Sequence, residues 1–359
     1  MLDIPEGIAT HKRRARGIMK KLLQLLILLF IMALTPAYVS ASANANEDIY
    51  RIIIDGVDIG MAAGNLLPLR DVVVHTGGTV SWNSRTQQIT VRRGNRVAEI
   101  TIGSTYATVN GREVNLAVPP QLAEGRTMVS LCFFADHMGL GAGHKNNRFI
   151  LSTTPARQIP ILTYHHILPD EVNTRFRGNP WVICTNNFAV QMRYLRDNNF
   201  YTPTLDELEA FLISGRLLPA NSVMIHFDDG YYSNYVYAYP VLQRYGLRAV
   251  IFHITGDAKA LGEYQPPICH NSLTMTAAVT LRIPNDVFET ASHTHNLHCH
   301  VPDTTDTLLV AETRENIVTD TLNSFEFVSN HRAFAYPHGQ FNDTVTEALG
   351  KQVSPWHLQ

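Results

Sequence analysis

The chain has 359 residues, of which 45% are hydrophobic and 17% charged, and its formal net charge is −2. This composition excludes intrinsic disorder and gives enough apolar material for two folded domains. It also excludes a nucleic-acid partner gripped through phosphates, because that requires clustered Lys and Arg.

Met19-Lys20-Lys21 precedes an apolar run from Leu22 to Leu34, and Ala41-Ser42-Ala43 follows. A basic, then apolar, then small-residue order describes a secretory signal peptide. Residues 1–45 are therefore expected to be leader and signal, and the chain is expected to be secreted or associated with the cell envelope. The apolar run is short for a spanning helix, and an uncleaved anchor is the alternative. Cys132, Cys184, Cys269 and Cys299 are too few and too irregularly spaced for a disulfide framework or a zinc ribbon.

Residues 48–153 read as β-rich with one or two helices. Ile52-Ile53-Ile54 runs into Asp55-Gly56, Gln88 to Val91 reads as a strand, and Val109-Asn110-Gly111-Arg112 reads as a hairpin turn. An internal echo runs through this stretch. Leu69, Gly77, Val80, Trp82 and Ile89 are matched at a nearly fixed offset by Leu131, Gly139, Ala142, His144 and Ile150. Helix, glycine and strand pair, stated twice, resembles the copper-amine-oxidase N-terminal-like stalk domain of secreted bacterial wall proteins. The resemblance implies association with the cell wall. His75, His137 and His144 are scattered and form no metal motif.

Thr153-Thr154-Pro155-Ala156-Arg157 disfavours helix and strand alike, so residues 154–158 are expected to be a linker. Residues 159–359 then alternate buried strands and amphipathic helices. Ile159 to Tyr164 is a strand ending in His165-His166. Phe188, Met192 and Leu195 recur at helical spacing. Thr204 with Glu207 forms a capping box, and Gly215 stops that helix. The alternation implies a parallel sheet closed as a barrel, with active groups at its C-terminal strand ends.

Val223 to Phe227 is a buried strand that runs into Asp228-Asp229-Gly230. Neighbouring strand residues face opposite sides, so both carboxylates enter one site only if the strand breaks there, which Gly230 permits. Paired carboxylates can divide labour, one holding a metal and the other moving a proton. Val287 to Ser292 is a further strand, and it delivers His293, His295, His298 and His300 within eight residues, a strong compositional signal for metal. Spacing alone does not choose the ligands. His293 with His298, five apart, requires a loop rather than a helix.

His226-Phe227-Asp228-Asp229-Gly230, Tyr164-His165 and Arg332-Ala333-Phe334-Ala335-Tyr336-Pro337-His338-Gly339 together resemble the polysaccharide deacetylases of NodB-homology type, carbohydrate esterase family four. The likeness is nearest the poly-N-acetylglucosamine deacetylase-like subgroup, whose two histidines stand five apart; the family's threonine is histidine at position 226.

The resemblance implies an α/β fold of distorted (β/α)-barrel type behind the smaller β-rich domain. It further implies a divalent metal, zinc foremost, held by Asp229, His293 and His298, with Asp228 as general base and His165 as general acid. Arg332 would pair with Asp228, and Tyr336 and Pro337 would shape the groove and supply an oxyanion donor. The implied substrate is an N-acetylated polysaccharide; a non-catalytic envelope glycan-binding protein is the alternative. Only 22 residues follow Pro337 and Lys351–Gln359 holds no apolar strand, so the barrel is expected to be truncated at its C-terminus.

Overall fold

The computed structural model describes residues 48–256, 283–284 and 286–350. The expected leader and signal, Cys269 and the tail from Lys351 lie outside the described residues. Among the described residues no helix is long and apolar enough to cross a membrane.

Strands β1 (Ile49–Ile54) and β2 (Val57–Ala63) form a hairpin turned at Asp55-Gly56, both at positive φ. β3 (Leu66–Pro68) leads into helix α1 (Leu69–His75). An antiparallel meander follows, made of β4 (Thr79–Asn83), β5 (Gln88–Arg93), β6 (Arg96–Thr101), β7 (Tyr106–Val109) and β8 (Arg112–Asn115). Asn110-Gly111 makes the expected two-residue turn between β7 and β8, with both residues at positive φ.

β9 (Gln121–Ala123) and β10 (Arg126–Ser130) join β3, while β11 (Gly141–Lys145) and β12 (Arg148–Ser152) return to lie beside β1. The internal echo is visible in three dimensions. Helix α1, Gly77 and the β4–β5 hairpin correspond to a wide helical turn over Phe133–His137, Gly139 and the β11–β12 hairpin. Inward residues of these sheets, among them Ile52, Ile54, Val91, Ile100, Phe149 and Leu151, share one core with Leu69, Val72 and Phe134.

The stretch from Thr153 to Arg157 is tied down rather than free. Ala142 N–H donates to Leu217 O and Ala156 N–H to Leu218 O, both at 3.0 Å. The Tyr201 hydroxyl accepts from His144 N–H at 3.1 Å and donates to Glu207 at 2.6 Å. Gly143 has no room for a side chain, since a β-carbon there would stand 2.3 Å from the Tyr201 ring.

Lys145, only 7% exposed, donates to Thr202 Oγ1 at 2.7 Å at this junction. Burial, then the charge of Arg248, pushes its ammonium pKa down to about 6, against the opposing pull of Glu207. A lysine depressed in the fold weakens the folded state progressively as pH falls from about 10.5 to about 6, and the loss is complete below that. Lys145→Met is therefore expected to raise Tm at pH 7 by at least about 2–4 °C, with the gain vanishing above about pH 10.5. Calorimetry across that pH range checks it.

The second region is built on a parallel sheet of order β13–β16–β17–β18, formed by β13 (Ile161–Tyr164), β16 (Met224–Phe227), β17 (Ala249–His253) and β18 (Phe288–Ser292). A parallel bridge from Phe334 to Ser292 extends it. A small parallel pair, β14 (His166–Leu168) with β15 (Val182–Cys184), stands beside it. Every residue of β16 and β17 is buried, as strands covered on both faces must be.

Helix α2 (Thr185–Asp197) packs Phe188, Met192 and Leu195 on one face of the sheet. Helix α3 (Leu205–Ser214) packs Leu205 and Leu208 on the other, beside Met224, Val250, Ala291 and Ala333. Its predicted capping box is present: Glu207 N–H donates to Thr204 Oγ1 and Thr204 N–H to the Glu207 carboxylate, and Gly215 ends it in the left-handed conformation. Helix α4 (Tyr239–Tyr245) ends likewise at Gly246. Helices α5 (Leu308–Ala311), α6 (Arg314–Ser324) and α7 (Asp343–Leu349) complete the region, enclosing Leu309, Ile317, Phe334 and Val345.

Candidate metal centre and active site

The C-terminal ends of β13, β16 and β18 open on a cavity of about 500 Å³. His165, Asp228, Asp229, His293, His298 and Tyr336 line it. Its size suits a small-molecule or single-residue ligand site.

β16 ends at Phe227, and Asp228 N–H donates to Tyr164 O at 2.9 Å as a last rung. Asp229 then takes φ +70° and Gly230 φ +76°, the strand break that turns both carboxylates toward one space. Gly230 has a second reason to lack a side chain: a β-carbon there would lie 1.9 Å from the His253 ring. β18, two places along the sheet from β16, delivers His293 from the same end. Beyond it the chain is held as a loop, because the Asp320 carboxylate of α6 accepts from His295 N–H at 2.7 Å and Asn296 N–H at 2.6 Å. Those bonds, with Thr294 at φ +73°, let residues five apart face the same way.

One ligand atom each from Asp229, His293 and His298 falls within a 4.8 Å group. Asp229 Oδ1 is 3.3 Å from His298 Nε2 and 3.7 Å from His293 Nε2. Two ligands of one tetrahedral zinc stand about 3.4 Å apart, so the set fits such an ion. His293 Nδ1 is 2.8 Å from Ala335 O. Donation to that carbonyl fixes the tautomer that presents the Nε2 lone pair to the cavity. Burial, and secondly His298, push the His293 pKa down to about 3, which keeps the imidazole neutral. Burial raises the Asp229 pKa, but the hydrogen bond from His298 and the charges of His293, His298 and His165 outweigh it and hold the carboxyl at about 2.

Asp228 lies between two imidazoles: Oδ2 is 3.8 Å from His165 Nε2 and Oδ1 3.8 Å from His226 Nε2. Burial, then the charge of Asp229, pushes its pKa up to about 7. His226 shares its strand face with Asp228, two residues on, and its Nε2 is 2.6 Å from Thr163 Oγ1. Burial pushes His165 below the ordinary histidine range, with Asp229 opposing. Its ring sits 4.7 Å from Trp181.

Arg332 does not reach Asp228. Its guanidinium pairs with Asp206 and Glu209 of α3. The reason is parity: Ala333 and Ala335 pack with Met224 and Val250, so Arg332 faces away, and Asn330 Oδ1 fixes that turn by accepting from Arg332 and Ala333 N–H. Tyr336 lines the cavity, whereas Pro337 is buried and begins the turn Pro337–Gly339 behind it. His295 points elsewhere, with Nδ1 2.8 Å from Thr255 Oγ1. Cys132, Cys184 and Cys299 are free thiols.

Sequence reasoning passed over Tyr231, which lines the cavity and whose pKa is raised first by burial and next by the charge of Asp229. It also passed over Trp181 and His338 on the cavity wall. Tyr231, directly after the Asp-Asp-Gly run, was the one detectable by position.

Residues 216–353 match the family described as Polysaccharide deacetylase, and residues 63–150 match the Copper amine oxidase N-terminal domain. The chain is similar to the polysaccharide deacetylase-like protein YxkH of Bacillus subtilis, with 28% identity over 56% of this chain and 64% of the relative. It is also similar to the poly-beta-1,6-N-acetyl-D-glucosamine N-deacetylase of Staphylococcus aureus, with 30% identity over 47% of this chain and 58% of the relative. The chain thus spans less than two thirds of the length of these curated relatives. Among solved structures, a de-N-acetylase from Aggregatibacter actinomycetemcomitans is 22% identical, with a TM-score of 0.46 over 55% of this chain and 86% of that one.

Proposed function

We propose that the chain is a secreted, metal-dependent deacetylase that hydrolyses N-acetyl groups of an N-acetylglucosamine-containing glycan, on a sheet curled as a distorted (β/α) barrel. The observation that carries this reading is the convergence of Asp229, His293 and His298 next to a second carboxyl, Asp228, and a further imidazole, His165. One carboxylate and two imidazoles suit zinc or another divalent transition ion and leave coordination positions open. When bound, such an ion polarises the acetamide carbonyl and acidifies water.

The chain's own groups do the rest. Asp228 takes the proton of the attacking water, and His165, 3.8 Å from Asp228, returns one to the departing amine. A main-chain N–H near Tyr336 supplies the oxyanion donor. Trp181, 63% exposed at the rim, offers an apolar face to a sugar ring. The β-rich domain associates with the cell wall in this reading. The named activity of the Staphylococcus aureus relative supports the choice of glycan.

Acetate release from β-1,6-linked N-acetylglucosamine oligomers tests it. Release is expected from the zinc-loaded chain, abolished by a chelator and restored by zinc. Binding of the oligomers with no release under any metal would instead favour a non-catalytic glycan-binding protein.

A further inference from the structure

Two imidazoles outside the proposed machinery meet at the mouth of the cavity. The rings of His300 and His338 are 4.4 Å apart and tilted by 32°, and His338 is 4.8 Å from the His298 ring. Both residues are exposed, and His338 lines the cavity wall. Among the described residues neither side chain makes a hydrogen bond or an ion pair. His338 is also held at φ +53°, a left-handed backbone that a residue with a β-carbon disfavours. Strain at a non-glycine residue beside a site points to a use for the side chain it aims.

Two imidazoles whose rings lie 4.4 Å apart at an exposed mouth form a donor pair for a borderline cation. Nitrogens sharing one zinc lie about 3.4 Å apart, a separation on the scale of the 4.4 Å between these ring centroids. An all-imidazole pair selects zinc, copper or nickel over magnesium. We propose that His300 and His338 form a second, weaker site for a divalent transition ion, completed by water, and that filling it narrows the cavity mouth against glycan. The inhibitory consequence rests on the deacetylase reading; the ion count does not.

The test is zinc titration of the chelator-stripped full chain, with bound ions counted by equilibrium dialysis. The parent takes up a tight equivalent and a weaker one, and magnesium does not fill the weaker one. His300→Ala keeps the tight equivalent and weakens the second at least tenfold, while its acetate release loses the slowing that high zinc imposes on the parent. His293→Ala does the reverse, losing the tight equivalent and keeping the weaker, so failure of the catalytic centre and failure of this site are distinguishable. A single equivalent in the parent overturns the proposal. So does a weaker equivalent unchanged in both His300→Ala and His338→Ala.

Discussion

Asp228→Asn is expected to lower kcat by about 10²- to 10⁴-fold, the usual contribution of a positioned general base, while metal content stays at the parent level. Asparagine keeps the shape of the carboxyl and the main-chain bond from residue 228 to Tyr164 O, but has no basic oxygen to take a proton. Asp229, His293 and His298, the proposed ligands, are left untouched. The substitution also carries a stability signature. In the ion-free chain the Asp228 carboxyl is pushed up to about 7, so ionising it weakens the fold increasingly as pH rises from about 4 to about 7. Asparagine removes that term. The ion-free variant should melt above the parent at pH 8, and the difference should close as pH falls toward 4. Unchanged kcat would remove Asp228 from the base role.

His293→Ala is expected to lower zinc affinity by more than about 100-fold, since loss even of an outer-shell partner costs 10- to 100-fold. His293 is 3% exposed and its Nδ1 lies 2.8 Å from Ala335 O, so the substitution removes an imidazole already oriented toward the cavity. The matched control is His295→Ala. That imidazole is equally buried, but it contacts Thr255 and stacks near Phe327, and its removal should leave zinc in place. Metal analysis of the two dialysed variants decides the matter. Loss of zinc from His295→Ala, with retention in His293→Ala, would reverse the assignment of ligands.

Much of this arrangement was legible in the residues because local rules and packing agree. The Thr204–Glu207 box, the Asn110-Gly111 turn and the apolar stripe of Phe188, Met192 and Leu195 each follow from one short-range cause. The strand break at Asp229-Gly230 was readable for the same reason. The geometry of the histidine segment was not, because it depends on Asp320, 25 residues from His295 in sequence, gripping two main-chain N–H groups. Arg332 was misjudged because the motif fixes its place along the chain but not its side of the sheet; Asn330 and the inward Ala333 decide that. The tie between the two regions was equally hidden. Proline and small polar residues promise a linker, yet Tyr201, His144 and Glu207 tie the two regions together through bonds between distant residues.

The most direct measurement is a crystal structure of the zinc-soaked chain with anomalous data at the zinc edge. The account predicts a peak about 2.0–2.2 Å from a carboxylate oxygen of Asp229 and from Nε2 of both His293 and His298, with Asp228 beside it as a non-ligand. A strongest peak coordinated elsewhere, with those three side chains bare, would contradict it.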